Sequence, residues 1–181
     1  EGIGNLSVMR VNMGVMQMST FVITPRDRNL PLMSTDYMYM LANRTAYMEF
    51  YDVVAEKDEA YTTLLNDLNA EIGKYDQLED TQATPAWYAP LLTVTAYKSG
   101  GFSEDLQLEQ MLVDCLNVYL ENSKDFPELT GEERAEKLEI TVDYTDGLIE
   151  KGGISTDVFK SALGDDVTKD FFDKVFFGTA G

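Results

Sequence analysis

The chain has no histidine among its 181 residues, one cysteine and one tryptophan. Without imidazole, Ser-His-Asp and Cys-His catalysis are excluded, as is any metal centre that relies on histidine. Acid–base chemistry then falls to carboxylates, tyrosines and lysines. Cys115 has no partner for an internal disulfide. Its neighbours Leu112, Leu116 and Tyr119 mark it as a buried thiol rather than a nucleophile, which suits a reducing cytoplasm. No apolar run reaches the roughly 18–20 residues that span a bilayer. No basic amphipathic leader opens the sequence, so a cytoplasmic location without membrane contact is expected. Phosphate loops are missing as well. Gly100-Gly101 and Gly152-Gly153 lack dinucleotide or Walker spacing and read as helix punctuation. The segment Asp143-Tyr144-Thr145-Asp146-Gly147 fails as a calcium loop, because Thr145 and Gly147 fall where the third and fifth ligands belong, so no metal site is expected.

Positive charge is also scarce. There are 14 basic and 32 acidic residues, a formal net charge of -18. The imbalance is local: residues 1–54 hold four basic and five acidic residues, and residues 55–181 hold ten and 27. Such a field repels nucleic acid and anionic lipid, so neither is an expected partner. The acidic half reads as a solvated helical surface, or as an interaction surface that mimics nucleic acid.

What is present is a core-forming chain, 44% apolar, of a length that suits one domain over residues 1–181. Residues 8–24 alternate in polarity and read as one long strand, or as two broken at Gly14. Residues 34–42 and 45–54 continue the pattern around a turn expected at Asn43-Arg44. A further short strand is expected over 91–98, so the sheet comprises about 8–54 plus 91–98. The remainder is mainly helical. Apolar stripes predict helices over 55–75, from a cap at Ser103 through Tyr119, and over 131–150 behind a Thr130…Glu133 capping box. Pro85, Trp87 and Pro90 punctuate a loop over 76–90. A last helix capped by Asp165 is expected to bury Val167, Phe171, Val175 and Phe176. Strands first and helices later, with hairpin connections, indicate an α+β fold: an antiparallel central sheet flanked by helices.

The chemically informative residue is Asp36. It starts a strand otherwise made of Met, Tyr and Leu, on the same face as Met38 and Met40. A carboxylate there is either paired in a turn, with Arg26, Arg28 or Arg44 within reach, or kept as a raised-pKa acid in an apolar pocket. Glu49 and Asp52 lie on opposite faces of the next strand, so one of them can neighbour Asp36 and push its pKa upward. Arg26 and Arg28 are candidates to hold the carboxylates of an acidic ligand, or are simply solvated turn residues. Eight of the nine methionines lie between Met9 and Met48, and they either fill the core or wall a flat ligand.

At these residues the chain resembles the ferredoxin-dependent bilin reductases and red chlorophyll catabolite reductase. The likeness rests on Pro25-Arg26, Leu30-Pro31-Leu32, Asp36 and the acid at Asp52, and on the C-terminal Leu163-Gly164-Asp165-Asp166, Phe171-Phe172 and Val175-Phe176-Phe177. Together these patches cover under half of the chain. The resemblance implies an α/β/α sandwich with ligand between the sheet and the C-terminal helices. It implies proton-coupled reduction of a linear tetrapyrrole, with no tightly bound cofactor and with ferredoxin or flavodoxin as external electron donor. Asp36 falls at the place of the family's proton-donating acid, and Thr20 falls where many members carry a histidine. The second acid would fall near Gly153, with Asp143 or Asp146 a turn or two earlier as substitutes and Glu49 as another. Arg26, Arg28, Met38 and Thr20 would contact the substrate. Three readings follow: a bilin-reductase-like enzyme, a non-catalytic binding module for a tetrapyrrole or other flat apolar ligand on the same fold, and an acidic interaction protein.

Overall fold

The computed structural model describes residues 2–84 and 86–180. Pro85, expected in the loop before Trp87, lies outside them. The expected long strand is two: β1 (Gly4–Asn12) and β2 (Met16–Pro25) form a hairpin. Gly14 turns it with a φ of 76°, and its N–H donates to the Asn12 side chain. β3 (Leu32–Met40) and β4 (Asn43–Tyr51) form the next hairpin. Its turn is not Asn43-Arg44, which already belong to β4, but the two residues Leu41-Ala42. Leu41 takes the left-handed φ of 56° that the turn demands. The arrangement is held from behind, since the buried Arg44 guanidinium donates to the carbonyls of Leu41 and Asn43 and meets Asp105 at 2.9 Å.

After α1 (Glu59–Ile72) come the two-residue β5 (Glu79–Asp80) and β6 (Leu92–Gly100), which complete an antiparallel sheet in the order β1-β2-β3-β4-β6-β5. The remaining α-helices among the described residues are α2 (Asp105–Asn122), α3 (Gly131–Lys151), α4 (Ile154–Leu163) and α5 (Asp165–Phe171), the last running into a π-helical turn, Phe172–Phe176. Thr130 and Glu133 make the expected capping box. Ser103 does not cap α2; its hydroxyl donates to Glu104, whose carboxylate accepts from the Gly101 N–H.

Strand alternation sends side chains to two cores. Met33, Tyr37, Met48, Phe50 and Val94 pack against Leu64 and Leu68 of α1 and Leu108, Met111, Cys115 and Tyr119 of α2. Cys115 is a buried free thiol there, its pKa pushed up to about 12 by burial. On the opposite face Val22, Leu32, Tyr51 and Val53 meet Tyr144 and Leu148 of α3 and Phe172, Phe176 and Phe177. The molecule is therefore the expected α/β/α sandwich with an antiparallel sheet. The C-terminal stripe sits one residue later than the periodicity suggests: Val167 and Val175 are exposed, while Thr168, Phe172, Phe176 and Phe177 are buried. No helix among the described residues is long and apolar enough to cross a membrane.

Trp87 fastens the loop before β6 to α3. Its indole N–H donates to the Gly152 carbonyl at 2.9 Å, Lys151 lies 4.6 Å above the ring, and the ring edge rests against the bare Cα of Gly147. A methyl group at position 147 overlaps that ring, and the ring is fixed on its other sides. Gly147→Ala is expected to cost about 1–3 kcal/mol despite alanine's better helix propensity. With one tryptophan in the chain, a changed emission spectrum should accompany the lowered urea midpoint; an unchanged spectrum and midpoint would show the contact to be soft.

Candidate functional site

The α3–α5 face of the sheet does not close completely. Between it and the helices lies a cavity of about 190 Å³. Its floor is the pleat itself: Met18 and Thr20 of β2, Asp36 and Met38 of β3, Tyr47 and Glu49 of β4. Period-2 alternation puts all six on one face, because Thr20 pairs with Asp36 and Asp36 with Tyr47 across the ladders. The roof comes from Tyr144 and Leu148 of α3, Gly153, Ser155 and Thr156 at the start of α4, and the Phe172/Phe176/Phe177 cluster. Gln82, Ala83, Thr84 and Tyr88 form one side. Glycine, alanine and hydroxyl side chains leave space where the aromatic residues do not.

Asp36 is at the centre. It accepts a hydrogen bond from the Thr20 hydroxyl and keeps partial exposure towards the cavity, while protein encloses it elsewhere. Burial raises its pKa to about 6, the Thr20 hydrogen bond opposes this, and the negative charge of Glu49 adds to it. Glu49 sits on the same face, diagonal to Asp36 through the Asp36–Tyr47 and Ser34–Glu49 pairs. Its two carboxylate oxygens accept from different phenols, Oε1 from Tyr97 at 2.7 Å and Oε2 from Tyr51. Burial and the carboxylate raise the pKa of both phenols, so each stays a donor. The pair is thus differentiated. Glu49 is satisfied by two donors, whereas Asp36 has one and faces open space, the arrangement of a carboxylic acid that holds a proton near neutrality and presents it to a bound molecule.

The residues singled out from the sequence divide between this cavity and other places. Asp36, Thr20, Met38 and Glu49 line it. Asp52 does not, since it meets Lys57 and the Tyr61 hydroxyl on the α1 side. Arg28 donates to the carbonyls of Gly2 and Phe126, and Arg26 is largely exposed beside Asp27 and borders a separate shallow cleft with Thr24 and Thr179. The structure therefore leaves both arginines outside the cavity, because the turn that carries them lies past the end of the sheet. Asp143 is exposed on α3, and Asp146 is paired with Lys169 at 2.5 Å, so neither reaches the cavity. Gly153, where the resemblance puts a second acid, does line it, with Ser155 and Thr156 as neighbouring hydroxyls. The aromatic wall of Tyr88, Tyr144 and the C-terminal phenylalanines was not singled out from the sequence. The Glu49-x-Tyr51 spacing, which places an acid and a phenol on one strand face, was the available signal.

No protein-family model matches the chain, and no curated protein matches it. Among solved structures it is similar to tomato phytochromobilin synthase in complex with biliverdin, at 15% identity and a TM-score of 0.71. The match covers 96% of this chain and 65% of that one, so the chain spans about two thirds of that protein's length. The α/β/α arrangement expected from the bilin-reductase resemblance is thus the fold that this chain shares with a biliverdin-complexed synthase.

Proposed function

We propose that the chain binds a linear tetrapyrrole between the sheet and the α3–α5 layer, and that Asp36 supplies a proton as the pigment is reduced. The observation that carries this reading is a single one: a carboxyl group with its pKa raised to about 6 lies at the floor of a cavity walled by tyrosine, phenylalanine and methionine. Aromatic faces and thioethers suit a flat conjugated ligand, and pyrrole N–H groups suit a carboxylate floor. Saturating one double bond takes two electrons and two protons. The electrons would come singly from an external carrier, ferredoxin or flavodoxin, in a reducing cytoplasm where Cys115 stays a thiol. Asp36 would deliver one proton and recover it from water through the open side of the cavity, and water entering by the same side would supply the second.

Titration with biliverdin tests the binding step. A red shift and sharpening of the long-wavelength band at micromolar protein is expected; an unchanged spectrum would reject pigment binding altogether. Turnover with a ferredoxin reducing system then tests the chemistry. A second reading, tight binding without reduction, is favoured by Thr20 and Gly153 standing where the resemblance puts a histidine and an acid. Bound pigment that persists unreduced under the same electron supply would select it.

A further inference from the structure

Among the described residues, the cavity is lined by two acidic side chains, Asp36 and Glu49, and by no basic one. The lysines on the helices that roof it are engaged elsewhere. Lys151 lies over Trp87, Lys160 donates to the Ile149 carbonyl and sits 3.6 Å from Asp165, and Lys169 is shared by Asp146 and Asp173. On the sheet, Arg10 is bonded to Gln17 and Arg44 to Asp105; in the turn after β2, Arg28 is tied to two carbonyls. A carboxylate on a ligand would therefore find no counter-ion inside and would face Asp36 and Glu49 across a space of low dielectric, where like charges repel strongly.

We infer that the pocket recognises its ligand through donors alone, N–H groups given to Asp36 and Glu49, and leaves the ligand's own carboxylates in water at the mouth without an ion pair to this chain. The inference rests on the tetrapyrrole reading and sharpens it: the preferred ligand is a pigment whose acidic side groups are dispensable for binding. It also replaces the expectation that Arg26 and Arg28 clamp propionates. The net charge of -18 acts in the same direction, since it opposes the approach of a dianion.

The test compares biliverdin with its dimethyl ester, in the same buffer, at low and at high salt. The ester should bind within threefold of the free acid or more tightly. The free acid should bind no less tightly as salt rises, because salt screens repulsion rather than attraction. A free acid that binds tenfold more tightly than the ester, or that loses tenfold in affinity with salt, would overturn the inference while leaving pigment binding intact. Failure of both pigments to bind would overturn the tetrapyrrole reading and this inference with it. A gain-of-function variant adds an independent check. Gln82→Arg, at the exposed side of the cavity, should shift preference about two- to fivefold towards the free acid by supplying the missing cation. An unaltered preference in that variant would mean that the acid groups already sit elsewhere, against the inference.

Discussion

Lys137→Met is expected to cost the native state about 2–4 kcal/mol at pH 7. Lys137 is fully buried on α3, and its amine donates to the carbonyls of Leu30 and Val53, at the ends of the segments that lead into β3 and out of β4. It therefore ties the helix that roofs the cavity to the sheet that floors it. Methionine fills a similar volume but has no donor, so two buried carbonyls lose a partner, at about 1–3 kcal/mol each, against a partial gain from apolar burial. Burial lowers the pKa of Lys137 from 10.5 to about 7, with nearby Asp52 opposing. Between those values the unfolded chain holds a proton that the native chain has shed. Stability from this group accordingly rises with pH across that window and is lost as pH falls through 7. The variant lacks this slope, so its deficit relative to the wild type should grow by about 2–3 kcal/mol between pH 7 and pH 9 in urea unfolding. A deficit of the same size at both values would mean that the ammonium stays charged in the core.

The fold was more legible than the cavity, for physical reasons that differ from residue to residue. Alternation in 34–40 and 45–54 puts Asp36 and Met38 on one face of the first run and Glu49 and Asp52 on opposite faces of the second; the register, which the turn decides, is what brings Glu49 rather than Asp52 beside Asp36. Asn43-Arg44 has the composition of a turn, yet the chain turns two residues earlier, because Arg44 is worth more as a buried tether to Asp105 and the Leu41 carbonyl than as a loop residue. That balance is a tertiary effect, and no local propensity contains it. The last helix shows the opposite failure. Phe171, Phe172, Phe176 and Phe177 allow two stripes one residue apart, and the π-helical turn at Phe172–Phe176 shifts the angular period on which the choice depends. Arg26 and Arg28 have the chemistry of carboxylate contacts, but the turn that carries them lies past the end of the sheet and neither lines the cavity. Their partners turn out to be main-chain carbonyls and Asp27. Lys137 carried no signal at all: a lysine between Glu136 and Leu138 looks like any solvated helix residue.

Asp36→Asn is expected to make the folded chain more stable at pH 8 and, on the reading proposed above, nearly inactive. The pKa of Asp36 is raised from 3.8 to about 6, first by burial and then by the charge of Glu49. Between those values the native chain keeps a proton that the unfolded chain has released. The stabilisation is fully present below pH 3.8 and is lost as pH rises through 6. An amide never ionises, so relative to the wild type the variant should gain up to about 3 kcal/mol on going from pH 4 to pH 8. Its oxygen can still accept from Thr20, so the local hydrogen bond survives. Urea midpoints for the two proteins should therefore converge towards pH 4, draw apart between pH 4 and pH 6, and stay apart above it; parallel curves would show that Asp36 ionises freely and would remove it as a neutral acid. Proton delivery behaves differently. A positioned acid contributes about 10²–10⁴-fold, so turnover with biliverdin and a ferredoxin system should fall by at least about a hundredfold. Pigment binding should weaken far less, because Glu49 and the aromatic walls are untouched. Greater stability and lost chemistry from one isosteric change is the outcome that a merely structural aspartate does not produce. A side chain that served only to hold Thr20 would leave turnover intact or would destabilise the fold when changed. A charge at this position is costly to the native state, which is why, on the reading proposed above, one substitution moves stability and turnover in opposite directions.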